Sequence, residues 1–154
     1  MANTYTQIYI QIVFTVEGRQ NLLPKQHREE LHKYITGIVT KRNQKLISIF
    51  AMLDHIHLFV GLKPDISISD LTRDIKAGSS KFITDNNWVN GKFCWQEGFG
   101  AFSYSKSQVD RVVKYISNQE VHHKHTTFKV EYLNFLEKFN VNYDKKYLFD
   151  WIDE

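Results

Sequence analysis

Cysteine is nearly absent. Cys94 stands alone, so no disulfide can form within the chain, and a reducing, cytoplasmic setting is the expectation. Proline occurs twice and glycine seven times in 154 residues, with no low-complexity stretch, repeat or linker-like segment. That excludes a fibrous or modular chain and leaves one domain, residues 1–154, as the natural reading. No apolar run approaches the ~18 residues of a membrane span. The opening MANTYTQIYIQ has neither the basic nor the apolar region of a signal peptide. Charge of one sign is also scarce: the net +3 permits a nucleic-acid partner without requiring one. No G-x-x-x-x-G-K run argues for nucleotide use.

Aromatics are plentiful, with 11 Phe, 8 Tyr and 3 Trp. Such rings fill cores or stack on bases, and composition alone does not say which. Along TYTQIYIQIVFTV, Ile8, Ile10, Ile12 and Phe14 alternate with Gln7, Tyr9, Gln11 and Val13, the period of a strand. Pro24 suits a helix start, and Leu31, Tyr34, Ile35, Ile38 and Val39 follow at helical spacing. LISIFAML and DHIHLFVGL read as two more strands, turning near Asp54. A second helix runs from Ser67 with Ile68, Leu71, Ile75, Phe82 and Ile83 on one side. KFCWQEGFGAFSYS reads as an interrupted fourth strand, followed by helices over about Gln108–His123 and Phe128–Phe139. The tail from about residue 140 is too aromatic to float free, so it is expected to pack on the domain or on a partner. The order β-α-β-β-α-β predicts an α+β, ferredoxin-like fold: an antiparallel sheet, two helices on one face, and additional C-terminal helices.

In the third strand, His55, His57 and Phe59 point one way, while Ile56, Leu58, Val60 and Leu62 point the other. The aliphatic set predicts the core face. The two imidazoles then stand side by side on the opposite face, roughly 7 Å apart along the strand, close enough to share a metal ion. The bland alternative is one exposed and one hydrogen-bonded ring. His-x-His also occurs in metallo-β-lactamase-like sites, but those want a further Asp and His where Leu58 and Phe59 follow. A barrel hydrolase needs roughly 250 residues, and a cupin would be nearly all strand.

The third helix carries two stripes. Val109, Val112, Val113 and Ile116 form an apolar one. Gln108, Arg111, Tyr115, Gln119 and His122 form a second, about 105° away, with Tyr115 and Gln119 one turn apart. Arg73, Lys76 and Ser80 share one face of the second helix. This is either a solvated face or a set of phosphate contacts. His122, His123 and His125 are read as surface or DNA-facing side chains, because neighbouring helical residues point apart.

Together these residues resemble a known family. His55-Ile56-His57 is similar to the HUH motif, and YISNQ (Tyr115 to Gln119) to the Tyr-x-x-x-Gln signature of single-tyrosine HUH transposases, the IS200-like transposases related to REP-associated tyrosine transposases. The likeness extends to MLDHIHLFVGL, SDLTRDIKAGSSKFI and WQEGFGAFSYS, over most of residues 8–125. Leu53 stands where many relatives have proline, a departure that touches the turn and not the chemistry. The resemblance implies a metal-dependent endonuclease and strand transferase acting on single-stranded DNA with hairpin ends. It implies Tyr115 as nucleophile, His55 and His57 as ligands to Mg²⁺ or Mn²⁺, and Gln119 as a third ligand or an aid to metal binding. Arg73, Lys76 and Ser80 then become candidate DNA contacts. It also implies a homodimer in which each tyrosine helix completes the partner's site. Two other readings compete: a domesticated relative that nicks DNA without mobilising it, and a non-catalytic module that binds single-stranded nucleic acid.

Overall fold

The computed structural model describes residues 3–152; the four terminal residues of the expected 1–154 domain lie outside the described residues. Four strands, β1 (Tyr9–Thr15), β2 (Lys45–Ala51), β3 (His55–Gly61) and β4 (Gly100–Tyr104), form one antiparallel sheet in the order β2-β3-β1-β4. Helix α1 (Arg28–Lys41) links β1 to β2, and α2 (Ile68–Asp85) links β3 to β4. This is the split β-α-β-β-α-β arrangement expected from the order of elements.

Register decides what each face carries. Ile10, Ile12 and Phe14 pair with Val60, Leu58 and Ile56, and these six share one face. There they join Ile35 and Val39 of α1 and Leu71 and Ile75 of α2 in the core. On the other face Thr15 pairs with His55, Val13 with His57 and Gln11 with Phe59. That second face is covered too. Val112 and Ile116 of α3 (Val109–Ser117) pack on Phe59. Helix α5 (Phe128–Lys138) lays Phe135 on Phe102 of β4, ring centroids 5.0 Å apart. Burial of each such aromatic is worth ~1.5–3 kcal/mol.

Local signals explain the punctuation. Ser67 and Thr127 cap α2 and α5 by accepting from the amides of Asp70 and Val130. Helices α1, α2 and α5 all end on a left-handed asparagine: Asn43, Asn87 and Asn140, at φ 64°, 55° and 56°. In each, the next amide reaches back to close a Schellman turn, as in Gln44 N–H to Val39 O at 3.1 Å. The third helix behaves differently. One continuous helix over Gln108–His123 was expected; it breaks at Asn118, whose φ of −97° is not left-handed, and resumes as α4 (Gln119–His122). Glu120 anchors α4 to the start of α1, pairing with Arg28 at 2.6 Å and Lys25 at 2.9 Å. The interrupted fourth strand is also real. Trp95 makes an isolated bridge to Val16, Gly98 turns the chain at φ 87°, and β4 begins only at Gly100. In the tail, Phe149 is buried 5.0 Å from Tyr132, and Gln96 and Asp150 exchange two 2.8 Å hydrogen bonds.

Candidate metal centre and tyrosine

His55 and His57 project from adjacent same-face positions of β3, and both are fully buried. Each ring commits its Nδ1 proton to an outward acceptor. His55 Nδ1 lies 2.7 Å from Asp54 Oδ1, and His57 Nδ1 lies 2.7 Å from Gln11 Oε1. A third imidazole joins them: His123, just after α4, gives its Nδ1 proton to the Thr126 carbonyl at 3.0 Å. With all three Nδ1 positions so used, each Nε2 faces inward, a lone pair on a neutral ring and a donor on a protonated one.

They converge on Glu131 of α5. Its Oε1 lies 3.1 Å from His57 Nε2, 3.1 Å from His123 Nε2 and 3.5 Å from His55 Nε2. The four donor atoms fall within 4.8 Å of one another. Lone pairs and a carboxylate oxygen crowded together repel unless a positive charge stands among them. The group therefore suits a cation, and its outward hydrogen bonds to carboxylate, amide and carbonyl oxygens are those that orient metal-binding histidines. Gln119 is fully buried, with Oε1 3.3 Å from His55 Nε2 and Nε2 donating to Glu131 Oε2 at 3.1 Å.

The electrostatics follow from the crowding. Burial works against the Glu131 charge, but the imidazoles of His57 and His123 outweigh it and hold the carboxyl well below the usual range. Burial lowers His57, so its ring favours the neutral form that can ligate a metal. Burial also opposes the charged form of His123, yet the hydrogen bond and charge of Glu131 raise it overall.

Tyr115 borders this group. Its hydroxyl donates to Glu131 Oε2, and His122 Nε2 lies 3.3 Å away. Burial, then the Glu131 charge, push the phenol well above its ordinary value of 10, so without a cation nearby it keeps its proton. The second stripe of the helix reading thus comes to one place. Gln108, Arg111, Tyr115 and His122 line a common cavity, and Gln119 turns inward.

The structure brings Tyr115, Gln119, His55 and His57 together within a single chain. It leaves Arg73, Lys76 and Ser80 elsewhere. Those three line a groove between α2 and residues 92–99, on the aliphatic side of the sheet. Arg73 is engaged with Asp70 at 3.2 Å. Lys76 is drawn inward, donating to the carbonyls of Gln96 and Gly98 and lying 5.0 Å over the Phe14 ring. Burial brings its amine down to about 8.

Sequence reasoning missed Glu131, His123 and Gln11. Glu131 had a signal: it sits at i+3 in the Phe128, Tyr132, Phe135 stripe, where a lone carboxylate is out of place. His123 is not the surface or DNA-facing side chain that its helical position suggests; the break at Asn118 re-aims the chain and tucks it against His55, ring centroids 4.6 Å apart. Gln11 gave no signal, because alternating polar residues on a strand normally face water.

Fold and site define an α+β protein of ferredoxin-like topology with a histidine-carboxylate group beside a tyrosine. The model of the family described as "Transposase IS200 like" matches residues 4–119, and the chain belongs to that family. Among solved structures, a candidate transposase from Deinococcus radiodurans R1 superposes with TM-score 0.59 at 19% identity, covering 76% of this chain and 94% of that one. A REP-associated tyrosine transposase bound to a REP hairpin superposes with TM-score 0.59 at 18% identity, covering 79% of this chain and 72% of that one. No curated protein sequence matched. Among the described residues no helix is long and apolar enough to cross a membrane. As a transposase, the protein is an enzyme that cuts and joins DNA.

Proposed function

We propose that the protein cuts and rejoins single-stranded DNA through a 5′-phosphotyrosine at Tyr115. The observation that carries this reading is the Tyr115 hydroxyl poised beside three convergent Nε2 atoms and a carboxylate. The phenol oxygen attacks phosphorus, and the bond to the 3′ oxygen breaks. The DNA 5′ end stays on tyrosine, and the leaving oxygen takes a proton to become a 3′-hydroxyl. Because the phosphoester is conserved, another 3′-hydroxyl can displace the tyrosine without ATP. Glu131 Oε2 already accepts the phenol's hydrogen bond and is its nearest base. His122 sits beside the phenol at 3.3 Å, within reach of the same proton.

His55, His57, His123 and Glu131 would hold a divalent metal, with Gln119 Oε1 adjoining. When bound, such an ion offsets charge on a phosphoryl oxygen and favours the ionised tyrosine. An imidazole-rich donor set suits Mn²⁺ better than Mg²⁺, which prefers oxygen ligands. Arg73, Lys76 and Ser80 are assigned to holding DNA away from the site. A hairpin is the expected DNA element, as in the REP-associated relative. The one-chain geometry supports an active site within each protomer; a homodimer with exchanged tyrosine helices is the other arrangement.

The test uses single-stranded DNA bearing hairpins from the sequence flanking the gene, with Mn²⁺. A denaturant-stable adduct should form, map to Tyr115 by mass spectrometry, and vanish in Tyr115→Phe while DNA binding persists. His55→Ala and His57→Ala should abolish cutting. An adduct on another tyrosine, or one that survives Tyr115→Phe, would overturn the mechanism. DNA binding by the wild type with no adduct would favour a non-catalytic binding module.

A further inference from the structure

Between α3, α5 and the edge of β4 lies a cavity of about 290 Å³ that opens onto the Tyr115 hydroxyl. Its floor is Tyr115 and Glu131, its side wall Tyr104 of β4, and its rim Arg111, Asn134 and Lys138. At that size it stands at the small end of the ~300–1,000 Å³ typical of ligand pockets, room for one unpaired nucleotide. The rim is cationic: Arg111 and Lys138 are exposed, and Arg111 has no hydrogen-bond or ion-pair partner among the described residues. The one carboxylate in the lining is Glu131, which is buried and already engaged by the imidazoles and the phenol. An unpaired guanidinium and an exposed ammonium lying 5.8 Å over the Phe139 ring at the mouth, an aromatic wall, and a reactive hydroxyl at the base match the parts of a nucleotide: phosphate, base and scissile phosphoester.

We infer that this cavity seats the nucleotide adjoining the scissile phosphate of a single strand. Arg111 and Lys138 hold the flanking phosphate and Tyr104 lies against the base. The inference rests on the DNA-cutting reading for its place in the reaction, but not for its test. Phosphate contacts from such cations position a strand without reading its sequence. Base stacking likewise accepts any unpaired base.

Equilibrium binding separates this inference from the chemistry. A fluorescein-labelled oligothymidylate is titrated with the full-length protein in EDTA, so that neither metal nor adduct contributes. Arg111→Ala/Lys138→Ala is expected to weaken binding at least ~5-fold and to flatten the dependence of log K on log salt by roughly 0.7 per cation removed. Lys33→Ala/Lys41→Ala on α1 removes the same charge from the far face and is expected to bind within twofold of wild type. Circular dichroism should match for all three, since the substituted side chains are exposed. Wild-type protein that fails to bind the oligothymidylate overturns the inference. So does an Arg111/Lys138 variant with unchanged affinity and slope, and so does an equal loss in the α1 control. If the wild type forms no tyrosine adduct yet these binding results hold, the pocket stands and the cutting reading falls.

Discussion

His57 gives its Nδ1 proton to Gln11 at 2.7 Å, and that single hydrogen bond turns its Nε2 lone pair toward Glu131. Gln11 is itself held, donating from Nε2 to the Tyr104 hydroxyl at 2.9 Å, so its oxygen stays on the histidine. Gln11→Leu removes this support at nearly constant volume. Partners of this kind are worth roughly 10–100-fold in metal affinity. Calorimetric titration with Mn²⁺ should show a loss in that range with the fold retained. Unchanged affinity would mean that His57 does not ligate the ion.

Glu131 touches more of the site than any other side chain, meeting four imidazoles (His55, His57, His122 and His123), Gln119 and Tyr115. Glu131→Gln keeps the shape and removes the charge. Mn²⁺ binding should fall at least ~10-fold, and cutting should fall with it. A variant that binds metal and cuts as the wild type does would make Glu131 a structural plug rather than a ligand.

Tyr115 and His57 meet within one chain, ring centroids 6.0 Å apart. Mixing Tyr115→Phe protein with His57→Ala protein should therefore restore no cutting, even after incubation to allow exchange of chains. Recovery of activity would establish the exchanged-helix dimer implied by the family resemblance.

Gly100 lets α5 lie close on the sheet. A Cβ there would meet Tyr132 Oη at 2.7 Å and Cε1 at 2.8 Å. Tyr132 is held among Phe102, Phe128 and Phe149 and cannot simply swing away. Gly100→Ala should cost about 1–3 kcal/mol by overpacking, read as a lower urea midpoint at constant slope. It should also impair cutting, since Glu131 is the neighbouring residue on α5. A midpoint equal to wild type would show that α5 adjusts freely.

His32 accepts the Ala51 amide N–H on Nε2 at 3.0 Å, which only an unprotonated Nε2 can do. Burial, against the pull of Glu29, lowers its pKa from 6.5. A base lowered on folding binds more protons when unfolded. Its contribution is therefore complete above about pH 6.5 and is lost as pH falls below it. His32→Gln can still accept that amide but does not titrate. Urea unfolding from pH 7.5 to 5 should lose less stability in His32→Gln than in the wild type; parallel curves would refute the assignment.

Much of this was legible in the residues because it depends on period. A strand repeats every two residues, so His55 and His57 had to share a face opposite Ile56, Leu58 and Val60. A helix repeats every 3.6, so Tyr115 had to leave the valine stripe in company with Arg111 and Gln119. The order of strands and helices then fixed the sheet. What period cannot report is which distant surface closes over a face. Period alone puts the histidines on the face opposite the aliphatic core and does not say what covers them. The tertiary structure covers it with α3 and α5 and stacks Phe128 on His55 at 4.1 Å. It draws Glu131 in from 74 residues beyond His57. His123 arrives only because the helix breaks at Asn118, and Gln11 matters only because β1 and β3 pair in this register. The physical reason is the same in each case. Local geometry sets the direction of a side chain, but the partner it meets depends on long-range packing, and a buried titratable group declares itself only through that partner.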